Sequence, residues 1–163
     1  MPRTIIIGYG NIDRSDDGLA YEVINLVRKK MGQNILEEGD TGLEELGEEI
    51  DSVFLPQLVP EIMELLKDYE KIIFVDAHAG ADLEDLNCSQ VIPQYVSSTF
   101  THHMTPEALL AFLKTLYQHE PAAYLVSARA YEFDFKRSFS SKTQSLLRPA
   151  SDKIMQLLKI NKG

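Results

Sequence analysis

The side chains of this sequence best suited to chemistry are the adjacent carboxylates Asp16 and Asp17, the carboxylate of Asp76, and the imidazoles of His78 and of the pair His102-His103. Two carboxylates and one imidazole form a donor set for a divalent transition metal of intermediate softness, such as nickel or zinc. With open coordination positions, such an ion can orient a peptide, polarise its carbonyl or activate water. Each group also has an ordinary structural reading. Asp16 and Asp17 precede a helical pattern, where acids cap the N-terminus and favour the positive end of the dipole. Asp76 ends an apolar run, a common place for an Asx turn. His78 is a spare ligand candidate, and His119, near a helix end, reads as solvent-exposed. The lone Cys88 follows the acidic stretch 82–85, which disfavours a thiolate, and reads as structural.

The elements that must position these groups are legible from hydrophobic pattern. Thr4-Ile5-Ile6-Ile7 is a β-branched run ending at Gly8, as expected of a strand buried on both faces. Leu19, Ala20, Val23, Ile24 and Val27 then mark one face of a helix closed by Lys29, Lys30 and Gly32. Asn34-Ile35-Leu36 reads as a short strand and the acid-rich segment 37–51 as a surface insertion. Val53-Phe54-Leu55 reads as a strand, followed by a helix with Ile62, Leu65 and Leu66 inward. Ile72-Ile73-Phe74-Val75 is a second clear strand, ending at Asp76. An edge strand is expected at 90–92, broken by Pro93. Pro106 opens a helix with Leu109, Leu110, Leu113 and Leu116 on its apolar face, and Ala122 to Val126 form a strand. The last helix begins near Lys142 and is interrupted or restarted at Pro149.

Strands alternating with helices predict one three-layer α/β/α domain over residues 1–163, with a twisted, mostly parallel sheet of about five strands. In such folds ligands bind beyond the carboxyl ends of the strands, which singles out the loops 8–17 and 76–80. Gly8-Tyr9-Gly10 resembles the start of a dinucleotide fingerprint, but Asp13 stands where the third glycine belongs, so nucleotide binding is not expected. A net charge of −9 argues against a nucleic-acid partner. No run approaches a membrane span, and the apolar start is too short for a signal peptide. A cytoplasmic monomer is expected. The zinc-protease motif His-Glu-x-x-His and the hydrolase elbow Gly-x-Ser-x-Gly are both absent from the sequence.

Gly10-Asn11, Asp16-Asp17-Gly18 after the first strand, Val75-Asp76-Ala77 at a strand end, and Thr101-His102-His103-Met104 before a helix together resemble the hydrogenase maturation endopeptidases. The resemblance covers nearly the whole chain in element order. It implies a cytoplasmic, metal-dependent, aspartic-type endopeptidase. Such an enzyme removes a C-terminal extension from the large-subunit precursor of a nickel-iron hydrogenase after nickel insertion. It also implies that Asp17, Asp76 and His102 are both metal ligands and catalytic residues, with His103 the alternative to His102 and Asp16 a supporting or capping acid. Nickel would arrive with the precursor, and zinc or cadmium could replace it in a crystal.

Three departures accompany the resemblance. Many members carry a Gly-Thr motif before the second helix, where this chain has Pro56-Gln57-Leu58-Val59-Pro60. Asp40-Thr41-Gly42 imitates that motif but lies too far before Asp76. Ala20 replaces a frequent glycine, a change expected to affect packing only. Two rival functions fit the same residues: a zinc metallohydrolase of other specificity, and a non-catalytic α/β maturation partner.

Overall fold

The computed structural model describes residues 3–79, 83–95 and 104–159. The β-branched opening run becomes β1 (Thr4–Tyr9), which lies inside a five-stranded sheet. The other strands are β2 (Ile50–Leu55), β3 (Lys71–His78), β4 (Leu86–Gln90) and β5 (Ala122–Arg129). They are ordered β2-β1-β3-β5-β4, parallel except for β4, which runs antiparallel to β5. The helices are α1 (Leu19–Lys30), α2 (Met63–Leu66), α3 (Pro106–Tyr117) and α4 (Ser141–Leu158). This is the expected three-layer α/β fold.

Alternation along the strands assigns the layers. Ile5 and Ile7 of β1 and Ile72 and Phe74 of β3 pack with Ile62, Leu66, Leu109 and Leu113 beneath α2 and α3. Ile6, Ile73 and Val75 face the opposite core, with Val23, Ile24, Leu147 and Ile154 of α1 and α4. Successive connections from β1 lead to opposite sides of it, so β1 and β3 flank a topological switch point. A crevice opens at their carboxyl ends. Among the described residues, no helix is long and apolar enough to cross a membrane.

Several local expectations are corrected. Asn34-Ile35-Leu36 is not a strand. The Leu36 carbonyl accepts from Tyr21 Oη and Asn25 Nδ2, and its amide donates to Asn25 Oδ1, so α1 side chains replace a ladder. Ile35 is left exposed while Leu36 is buried. The acidic segment is not wholly a surface insertion. Its end, Ile50-Asp51, begins β2, and buried Asp51 accepts from Arg3, Tyr69 and the amides of Gly47 and Glu48.

The edge strand lies at Leu86–Gln90, ahead of the expected position, and its Leu86 and Cys88 pack on the α4 side, in keeping with a structural Cys88. Residues 91–95 have no regular structure, although Val91 N still reaches Ala123 O. On α3, Leu116 is exposed because the buried stripe runs through Pro106, Leu109, Leu110 and Leu113. His119 is half-buried, with Nε2 at 2.6 Å from the Tyr69 carbonyl. The last helix continues through Pro149. The proline removes one backbone donor, but Leu147, Ala150, Ser151 and Ile154 around it are buried.

Candidate functional site

Strand parity brings the first side chains together. Tyr9 shares the α3-side face of β1 with Ile5 and Ile7, and Asp76 shares that face of β3 with Ile72 and Phe74. The register pairs Gly8 with Val75, so Tyr9 and Asp76 stand side by side one step further on. Both line a cleft of about 880 Å³ at the carboxyl edge of the sheet.

Asp17 reaches the same cleft by a tight return of the chain. It lies in a 3-10 turn, Ser15–Gly18, that leads into α1. Its Oδ2 accepts the Asn11 amide at 3.0 Å, folding the 10–17 loop back over the end of β1. Gly10 makes this closure possible: its φ is +149°, and a Cβ there would sit 2.2 Å from the Asp17 carbonyl oxygen. No larger residue fits without moving Asp17.

Asp16 points the other way and does a different job. It is fully buried, and it does not cap the helix as expected. Its carboxylate accepts the amides of Tyr131, Glu132 and Ser140 at 2.8–2.9 Å and the hydroxyls of Ser140 and Thr143 at 2.6 and 2.8 Å. Burial opposes its ionisation, but these hydrogen bonds outweigh burial and hold the carboxyl below the ordinary 3.8. Backbone bonds from Ser15 to Lys136 and from Asp16 to Glu132 complete the attachment of this loop to the segment 131–140. Asp16 therefore fixes the loop from which Asp17 projects.

Asp76 receives the opposite treatment. Burial first, and the charge of Asp17 as a lesser cause, raise its carboxyl to about 6, against the Ala77 amide and the Tyr9 hydroxyl, which favour the ionised form. Burial and the neighbouring Asp76 raise the Tyr9 phenol, so it remains a protonated donor. Asp17 and Asp76 both line the cleft, and the charge of the first reaches the second. One Asp17 oxygen meets the Asn11 amide and one Asp76 oxygen meets the Ala77 amide, and among the described residues no amide claims the second oxygen of either carboxylate.

The expected third donor, His102, lies outside the described residues, as does His103. The chain resumes at Met104, and Met104, Thr105 and Pro106 form part of the cleft wall. Thr105 caps α3 by accepting the Ala108 amide at 3.1 Å. Among the described residues, no three His, Cys, Asp or Glu side chains group as metal ligands. His78 is corrected as a spare ligand: Nδ1 contacts Ser127 Oγ at 2.9 Å and Nε2 contacts the Glu84 carbonyl at 2.8 Å. The carbonyl can only accept, which puts a proton on Nε2, so neither ring nitrogen is open to an ion.

The opposite wall holds residues that sequence reasoning missed or set aside. Gly39, Asp40 and Thr41 line the cleft together with Pro56, Gln57 and Leu58. Chain distance from Asp76 is immaterial here, because β2 lies beside β1 and the Thr41 carbonyl accepts the Phe54 amide at 2.9 Å. Tyr9 could have been found from parity, since it follows Ile7 by two residues on the face that carries Asp76.

No protein-family model matches the sequence, and no curated protein does. Solved structures do match it. The fold is the one found in hydrogenase maturation proteases. The hydrogenase maturating endopeptidase HybD from E. coli aligns with a TM-score of 0.70 at 13% identity, over 96% of this chain and 92% of that one. The [NiFe] hydrogenase maturation protease HycI from Thermococcus kodakarensis gives 0.68 at 15% identity, covering 98% and 94%. The hydrogenase 2 maturation peptidase from a Thaumarchaeota archaeon gives 0.62 at 18%, covering 98% and 99%. At these identities the likeness is one of fold.

Proposed function

We propose that this chain is a hydrogenase maturation endopeptidase, which removes the C-terminal extension of a nickel-iron hydrogenase large-subunit precursor after nickel has been inserted. The observation that carries the reading is the pair Asp17, from the 3-10 turn before α1, and Asp76, from the end of β3, which line one cleft whose wall includes Met104, just downstream of His102-His103 in the sequence. The shared fold of the solved maturation proteases supports it.

In this reading nickel is part of the substrate. Asp17, Asp76 and His102 approach it from one side, His102 through a neutral ring nitrogen and the acids through ionised oxygens. An ion held by both partners fixes the precursor in the cleft, and the rate gain is chiefly one of orientation. Asp76 titrates near 6, so the ion's charge favours release of its proton on binding. Tyr9, beside Asp76 on the neighbouring strand, remains protonated.

Mass spectrometry of a nickel-loaded cognate precursor tests the proposal. The parent protein is expected to remove the mass of the extension, and nickel-free precursor is expected to stay intact. Asp17→Ala should slow cleavage at least about 100-fold, roughly 3 kcal/mol of transition-state stabilisation. An unchanged precursor mass with the parent protein, or undiminished cleavage by Asp17→Ala, contradicts it.

A further inference from the structure

Among the described residues, the cleft is lined by four aspartates, Asp13, Asp17, Asp40 and Asp76, and a single cation, Arg14. Arg14 is held in place from behind. Its backbone bridges in parallel to Lys136, its Nε donates to the Phe133 carbonyl at 3.3 Å, and its guanidinium lies 5.9 Å from the ring centroids of both Phe133 and Phe135. The cations beside it are neutralised: Arg137 bridges Asp13 and Glu38, and Lys136 pairs with Glu132. Among the described residues, no carboxylate pairs with Arg14. Arg14 itself lines the cleft, and its terminal nitrogens keep a planar fork of donors, the geometry that binds a carboxylate in bidentate fashion.

We propose that Arg14 is a specificity-determining residue that receives a carboxylate of the peptide segment leaving the scissile bond. This inference rests on the endopeptidase reading. Asp13 is paired with Arg137, and elsewhere along the cleft an anion meets Asp17, Asp40 and Asp76, so Arg14 is the favourable place for negative charge. The segment removed from a C-terminus always carries one terminal carboxylate, and acidic side chains within it offer the same chemistry. The Phe133 carbonyl accepts from Arg14 Nε before the peptide arrives, which restricts the guanidinium and lowers the ordering cost of binding.

The test compares three nickel-loaded precursors: native, with the terminal carboxylate replaced by a carboxamide through protein ligation, and with the acidic side chains of the extension replaced by amides. Steady-state cleavage is measured for the parent protein, Arg14→Gln and Arg14→Lys, after matched thermal unfolding confirms folding. On native precursor, Arg14→Gln is expected to raise KM about tenfold with a much smaller change in kcat, and Arg14→Lys to recover part of the loss. One modified precursor should show the raised KM with the parent protein and no further penalty with Arg14→Gln, which identifies the carboxylate read. Equal KM for the parent and Arg14→Gln overturns the proposal, as does an Arg14→Gln penalty that persists in full on both modified precursors. If the parent leaves native precursor uncut, the endopeptidase reading fails and this inference falls with it. Parent cleavage that is indifferent to Arg14 overturns this inference alone.

Discussion

Replacing Asp76 with asparagine is expected to make the protein more stable and inactive at once. In the folded state the Asp76 carboxyl titrates at about 6 instead of 3.8, chiefly because it is buried. Between those two values the native state holds more protons than the unfolded chain, so the stability contributed by this group falls as pH rises through that window. Above pH 6 the ionised carboxylate carries the full penalty, at most about 3 kcal/mol. Asparagine keeps the shape without the charge. Thermal unfolding should show Asp76→Asn melting above the parent at pH 8, with the difference shrinking as pH falls below about 5. Cleavage of nickel-loaded precursor should be lost in the same variant. Equal melting temperatures at pH 8, or a variant that still cleaves, would count against the role assigned to Asp76. A side chain whose charged form strains the fold needs a ligand to justify it, and a cation supplied by the substrate meets that need.

Asp16→Ala is expected to do the reverse and destabilise the protein by about 3 kcal/mol or more, since each buried donor left without an acceptor costs about 1–3 kcal/mol. The amides of Tyr131, Glu132 and Ser140 and the Thr143 hydroxyl would lose their common acceptor. The sign with pH is opposite to that of Asp76. Its folded carboxyl lies below 3.8, so its stabilisation is present above that value and is lost as pH falls through the folded value. Chemical denaturation at pH 7 should give a large drop in midpoint with little change in slope. Amide exchange should show the 131–140 segment opening first. A variant with parental stability and an undisturbed segment would show that Asp16 is not the anchor of the Asp17 loop.

The two acids illustrate what the sequence discloses. Asp16 and Asp17 are adjacent and chemically identical, and periodicity assigns both to a helix start. They are separated by partners more than 100 positions away, since every donor to the Asp16 carboxylate comes from residues 131–143. Hydrophobic period reports which face of an element is buried, and it located β1, α1, β3, α3 and β5 because each buries a regular stripe. It does not report which polar groups converge from distant segments. For the same reason it misread Asn34-Ile35-Leu36, where α1 side chains satisfy the backbone, and set aside Asp40-Thr41, which β2 brings beside β1. The edge strand was misplaced because β4 buries only one side and carries polar Asn87 and Ser89 in its middle. Asp17 and Asp76 were legible as a pair because Asp76 directly follows an apolar run, Asp17 lies in the loop that follows another, and parallel neighbours must end at the same edge of the sheet.

The most direct test of the central claim is the anomalous difference map of a crystal soaked in a nickel salt. The account predicts one strong peak in the cleft, about 2.0–2.2 Å from carboxylate oxygens of Asp17 and Asp76 and from a ring nitrogen of His102. A cleft without nickel, or a peak held by other residues while Asp17 and Asp76 stay apart from it, would contradict the account.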